Sequence, residues 1–278
     1  MGNGELKQSV SPWVWLCPLA SLSLAMGVGH FFGLSWWSAL LIGMMLACPV
    51  TAVWAYLVGD RPLPIPLGPA PITRGTNFNW IAPWYDGWCS IFGLGKSFRN
   101  WTLSLARFMP GDHVLDVGCG NGVVTHRIAD LVGPAGEAWG IDPAPDMIRM
   151  AMQRRGRTAN AAHFKLAAIE TLPFQDASFD VVFISLVLHH LPVEVKVIGL
   201  REVLRVLKPG GRLLVVEPDR PDHWLWRAVF WPGRFYKRLK DHLEGRTSQM
   251  LQQAGFGLVT TLGRWRHKVT FWRAEKTS

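Results

Sequence analysis

The run "HVLDVGCGNGVV", His113–Val124, decides the fold. Val114-Leu115-Asp116-Val117 has the length and β-branching of a buried strand, and Val123 to Ala129 resumes at helical spacing. Between them stand Gly118, Gly120 and Gly122. Strand, tight glycine turn and helix follow one another. Glycine has no side chain, so such a turn lets backbone N–H groups and bare Cα atoms approach a ligand closely.

Outward from this run, strands and helices alternate after Pro110-Gly111. The pattern predicts strands at His113–Val117, Glu137–Ile141, His163–Leu166, Phe179–Ser185 and Arg212–Glu217, with helices after the first, second and fourth. A helix over Val193–Leu207 starts after Pro192 and stops at Lys208-Pro209-Gly210. Gly255–Leu262 and Lys268–Ala274 read as two further strands that close the sheet. The expected fold class is α/β, a doubly wound, mostly parallel, Rossmann-like sheet.

Asp142 ends the second strand, 24 residues beyond Gly118, where an acid accepts hydrogen bonds from ribose hydroxyls. An adenosine ligand is therefore expected. Dinucleotides and S-adenosylmethionine both offer a ribose, but Gly118-Cys119-Gly120-Asn121-Gly122 spaces its glycines G-x-G-x-G rather than G-x-G-x-x-G. Asp116 suits the sulfonium ligand and would repel a pyrophosphate.

With these residues in view, Tyr85 to Lys276 resembles a class I S-adenosylmethionine-dependent methyltransferase, similar in motif order to the ubiquinone/menaquinone C-methyltransferase-like group. The stretches that carry the resemblance are "VLDVGCGNG", "GIDPAPDMI", "IETLPFQDASFDVVFIS", "LHHLP" and "EVLRVLKPGGRLLVVEP". The resemblance implies that Gly118, Gly120 and Asn121 contact the methionine part and the loop, Asp142 the ribose, and Met147 one adenine face. It implies Ile169 at the adenine edge through its backbone, and Ser185 on the floor near the methyl group. The chain departs from the family at Ala168, where relatives often offer Asp or Asn to the adenine amino group. Backbone groups, Glu170 or water must then recognise adenine.

Methyl transfer from a sulfonium mostly needs alignment, with a base only where the acceptor loses a proton. His189, just past the fourth strand, and Tyr85 are the catalytic candidates; the competing reading is that His189 and His190 orient their loop. No metal site is expected, and the four cysteines form no C-x-x-C pair or disulfide framework.

Ahead of this domain, 52 consecutive residues from Gln8 to Gly59 carry no Asp, Glu, Lys or Arg. A bilayer core about 30 Å thick needs roughly 20 apolar residues per helix, so residues 1–58 are expected to form an anchor with spans at Trp13–Phe32 and Trp36–Val58. Residues 59–75, with five prolines, read as an extended linker, and 76–278 as the catalytic domain. Both ends are expected on the cytoplasmic side of a multi-pass membrane protein. The tryptophan-rich stretch from Asn77 to Trp101 reads equally as an interfacial lid or substrate pocket, or as aromatics packed on the core.

The net charge is +9, and with the anchor it favours an anionic membrane surface over nucleic acid. The segment 219–246 carries seven Lys or Arg against four Asp or Glu among six large aromatics, and reads as an amphipathic basic helix, an interfacial insert whose charges face a lipid surface; the competing reading is a solvated basic helix packed on the sheet. The expected partners are membrane lipids and a lipid-like or hydrophobic acceptor, either a quinone precursor or a phospholipid amine. The alternatives are a small hydrophobic acceptor, or a catalytically silent adaptor that keeps the methyltransferase fold.

Overall fold

The computed structural model describes residues 67–76, 79, 82, 85–91, 93–154, 162–231 and 235–277, which belong to a compact unit spanning Pro62–Ser278. Helices α1 (Tyr85–Ile91) and α2 (Lys96–Ala106) precede β1 (His113–Val117), α3 (Val123–Val132), β2 (Glu137–Asp142), α4 (Pro145–Gln153), β3 (Ala162–Leu166) and β4 (Phe179–Ser185). A 3₁₀ turn, Leu188–His190, leads into α5 (Val193–Val206) and the long β5 (Leu207–Pro218). Then come α6 (Trp224–Phe230), α7 (Lys237–Leu243), α8 (Thr247–Gln253), β6 (Val259–Trp265) and β7 (Val269–Glu275). The strand order is β3-β2-β1-β4-β5-β7-β6, with β1 to β5 parallel and β7 antiparallel to both neighbours.

Parallel strands covered by helices on both faces need apolar side chains at every position. In β4, Val182 and Ile184 enter one core with Leu115, Val117, Val215 and α5 residues Leu200, Val203 and Val206. Val181 and Phe183 enter the other with Val114, Leu214, Phe98 of α2 and Ile128 and Val132 of α3. The order reverses between β1 and β4, which opens a crevice beyond their carboxyl ends, the expected ligand site of such a sheet.

Three expectations change. The linker is not merely extended chain: its Thr73 and Gly75, with the adjoining Thr76, form part of the wall of this crevice. The insert is not one amphipathic helix; α6 and α7 are separate seven-residue helices. Arg238, expected to face a lipid surface, turns inward instead, donating from Nη1 to Thr76 Oγ1 at 2.8 Å and to the His190 carbonyl at 2.9 Å. Those fixed acceptors outcompete water for a planar guanidinium with several donors.

The tryptophan-rich stretch divides. Trp101 packs in the core against Trp265, ring centroids 5.4 Å apart, whereas Tyr85 lines the crevice. Among the described residues no helix is long and apolar enough to cross a membrane. The two expected spans lie outside the described residues.

Candidate active site

The crevice has two lobes that share Tyr85, Gly118, Gly120 and Leu186. Asp142, Met147, Ala168 and Ile169 line the first lobe, with Glu170, Val187 and His190. Asp116, Asn121 and Ser185 line the second, with Cys89, Phe98 and Phe183. The structure thus brings all the expected cofactor residues to one crevice. His189 is not among its lining residues.

The glycine loop is shaped by its two ends. Gly118 N–H and Cys119 N–H both donate to the Ile141 carbonyl, at 2.8 and 2.9 Å, which ties the turn to the end of β2. Gly118, Gly120 and Gly122 all have φ between 54° and 75°, the left-handed region that glycine enters without strain. Their reasons for lacking a side chain differ. A Cβ on Gly118 would lie 2.3 Å from Val187 Cγ2, and one on Gly122 2.7 Å from Ala151 Cβ, so both permit close packing. A Cβ on Gly120 would meet only Tyr85 Cε1 at 3.7 Å and Met147 Sδ at 3.9 Å. Gly120 is therefore the floor of a cradle that a side chain would fill.

Two carboxylates flank that floor. Asp142 accepts from the Gly120 N–H at 3.0 Å and from the Ala144 N–H at 2.9 Å, one bond per oxygen, which leaves a lone pair on each for a ribose diol. Asp116 accepts from the Thr125 hydroxyl at 2.6 Å. Burial pushes the Asp116 carboxyl up to about 7, opposed by Thr125 and aided by the charge of Asp142. Burial likewise pushes Asp142 up to about 6, against the two N–H donors. A cationic adenosine ligand fits this donor set: it brings the positive charge and the hydroxyls that the two carboxylates lack.

Helix α1 covers the loop. The Asn121 side chain donates to Asp86 at 3.0 Å, and Arg154 Nε donates to the Asn121 carbonyl at 3.1 Å. Burial holds the Tyr85 hydroxyl well above its ordinary range, so it acts as a neutral hydrogen-bonding group and not as a phenolate. The Ile169 side chain packs against Gly199 of α5, where a Cβ would stand 2.7 Å away.

His189 and Glu217 form the wall behind the crevice. Glu217 is fully buried at the end of β5 and accepts from Val187 N–H and Leu188 N–H at 2.7 Å each, and from His189 Nδ1 at 2.6 Å. Burial would raise its carboxyl, but His189, His242 and the Leu188 amide outweigh this and bring it down to about 2. His190 does face the crevice; burial and its neighbour His189 bring it down to about 3, so its ring is neutral. His189 thus stands outside the crevice lining, with its ring nitrogen bonded to Glu217. Glu217 went unnoticed in the sequence, where an acid closing the apolar run "RLLVVEP" was the available signal.

A prediction follows from the raised carboxyls. Their folded values lie above the ordinary 3.8, so the stability each contributes is fully present below about 3.8 and is lost as pH rises from there through about 6 to 7. A cation prefers the ionised carboxylates, so its binding expels protons in that window. Affinity for S-adenosylmethionine should rise with pH, by at most about tenfold per unit for each group, and level off near pH 8. Calorimetry at pH 6 in two buffers of different ionisation heat should show net proton release; a pH-independent affinity would contradict this.

The comparisons with known proteins agree with this geometry. A family model described as "Methyltransferase domain" matches residues 109–255, which end before β6. The chain is similar to a ubiquinone/menaquinone biosynthesis C-methyltransferase of Ectopseudomonas mendocina, 38% identical over 158 residues, 55% of this chain and 60% of that one, so it spans three fifths of that relative's length. It is also similar to a demethylmenaquinone methyltransferase of Listeria monocytogenes, 33% identical over 208 residues, 66% of this chain and 86% of that one. In fold it is similar to a Thermotoga maritima S-adenosylmethionine-dependent methyltransferase described as a possible histamine N-methyltransferase. There the TM-score is 0.54 at 20% identity, over 72% of this chain and 98% of the other.

Proposed function

Since the chain belongs to the methyltransferase-domain family and uses S-adenosylmethionine, we propose that it methylates a carbon of a quinone precursor dissolved in the membrane. The cofactor supplies an electrophilic methyl group on a sulfonium. Gly120 gives it room, Asp142 holds its ribose and fixes the adenosine, and Asp116 offsets its charge. Met147 and the backbone of Ile169 border the adenine, while Ser185 and Tyr85 border the second lobe.

The observation that carries the acceptor class is the second lobe itself. Cys89, Leu94, Phe98, Val124, Phe183 and Leu186 give a flat ring an apolar wall. Similarity to the two quinone methyltransferases supports the same choice. Carbon methylation of a quinol ring releases a ring proton; the neutral His190 ring, which lines the adjoining lobe, can take it through water.

A membrane location rests on the apolar residues 8–59 and on an exposed apolar shelf, in which Trp224 is 72% and Phe235 74% exposed beside Leu225, Trp231 and Tyr236. Aromatics displayed next to Lys237 and Lys240 suit the boundary of an anionic bilayer. We place the catalytic domain on the cytoplasmic side, with membrane lipids as its partners. The same shelf favours a second reading, a phospholipid amine.

Lipid mass spectrometry of cells with and without the protein separates the two. Loss of the protein should leave a quinone 14 mass units lighter, one methylene equivalent, while phosphatidylethanolamine methylation is unchanged. The reverse pattern would establish the phospholipid reading.

A further inference from the structure

We propose that Glu170 reads the adenine amino group of the cofactor, replacing the side chain that Ala168 lacks, and that the chain segment at Thr73–Thr76 holds it in place. The inference rests on the cofactor alone and holds whichever acceptor is used.

Glu170 lines the adenosine lobe next to Ala168 and Ile169. One carboxylate oxygen is committed: Oε1 accepts from the Thr73 hydroxyl at 2.7 Å and from the Arg74 N–H at 3.3 Å. The other, Oε2, is buried with no hydrogen-bond partner among the described residues. A buried carboxylate oxygen left without a donor costs folding free energy, so such an atom is retained where a ligand supplies the donor. The exocyclic amine of adenine is a donor of that kind, and it distinguishes adenine from purines bearing a carbonyl at the same carbon.

The residues beside Glu170 on its own loop offer no competing side-chain acceptor. Ala168 is buried and carries no polar side-chain atom. Ile169 turns its side chain into the core against Gly199, which leaves only its backbone to the ligand. Val187 and Leu191 across the lobe are apolar.

The segment that presents Glu170 is itself clamped. Thr76 donates to the His190 carbonyl at 3.2 Å, and Arg238 Nη1 reaches both that carbonyl and Thr76 Oγ1. Gly75 lies so close to Leu191 that a Cβ would stand 2.7 Å from its Cδ2. With Oε1 fixed by Thr73, rotation of the carboxylate is restricted and Oε2 is pre-positioned, which lowers the entropy lost on binding.

The test compares S-adenosylhomocysteine with its 6-deamino analogue, in which hydrogen replaces the amino group, by calorimetry on the full chain. The native protein should prefer the amino compound by about tenfold or more, as for a hydrogen bond to a charged group. Glu170→Ala should reduce that preference to within about twofold, while Thr73→Val, which keeps the carboxylate, should retain most of it. Glu170→Met, close to Glu in length and without an acceptor, gives the same reading if the alanine variant does not fold. If Glu170→Ala keeps the full preference, or if the native protein has none, the amino group is not read by Glu170 and the residue only ties down the Thr73 segment. Loss of binding to both compounds by the native protein would instead overturn the cofactor assignment.

Discussion

Replacing Gly120 with valine is expected to weaken S-adenosylmethionine binding by about a hundredfold or more while the domain stays folded. Two causes act together. Gly120 has φ +54°, and a β-branched residue in the left-handed region costs on the order of 1–2 kcal/mol. The larger cause is steric, because the valine methyls would occupy the space between Tyr85 and Met147 that the ligand needs. The new Cβ itself would sit at ordinary contact distances of 3.7 and 3.9 Å, so the core has little reason to yield. Calorimetry gives the affinity, and circular dichroism and a thermal scan report the fold. An unchanged affinity in a folded variant would show that the ligand does not lie on this floor. The two neighbouring glycines should behave differently: alanine at Gly118 meets Val187 at 2.3 Å, so its main effect is on stability.

The largest effect on stability is expected at Glu217. Its carboxylate satisfies Val187 N–H, Leu188 N–H and the His189 ring in a site with no solvent exposure. Glu217→Ala strands those donors and leaves a cavity. Breaking a buried, hydrogen-bonded pair of this kind costs about 3–5 kcal/mol, which lowers the melting temperature of a domain this size by roughly 10 °C. The same group sets an acid limit. Its folded value of about 2 lies below the ordinary 4.5, so its contribution is present above about 4.5 and is lost as pH falls towards 2. The alanine variant should lose this part of the acid dependence. A melting temperature within about 2 °C of the native one would contradict the account of the His189 wall.

Much of the fold was legible because its signals are local. The apolar β-branched runs at Val114–Val117 and Phe179–Ser185 are strands buried on both faces, and both appear with the expected bounds. Strand β5 begins at Leu207, not Arg212, because Lys208-Pro209-Gly210 bends without leaving the ladder: Phe179 pairs with Leu207 before the register shifts. The cofactor lobe was legible for the same reason, since the glycine loop, Asp142 and Met147 follow one another along one strand-helix-strand-helix stretch.

What escaped the sequence depends on contacts between distant segments. Thr73 meets Glu170 across 97 residues, and Arg238 meets Thr76 across 162, so no periodicity announces either. Arg238 looked like a surface charge because it stands among Lys237, Lys240 and Arg246, yet only packing decides which of several basic residues turns inward. Lys196 makes the same point: it is fully buried on α5 and donates to the Arg238 carbonyl at 2.7 Å.

Carbon methylation of a membrane-dissolved quinone precursor can be followed by isotope transfer. The full-length protein in anionic vesicles that contain both a reduced, demethylated quinone and phosphatidylethanolamine would be given S-adenosylmethionine carrying a ¹³C methyl group. Carbon NMR of the extracted lipids separates the products, because a methyl on a ring carbon resonates far upfield of one on nitrogen. Label is expected on the quinone ring carbon and none on the phospholipid amine. Label on nitrogen, or a protein that binds the cofactor and transfers label to neither lipid, would contradict this reading.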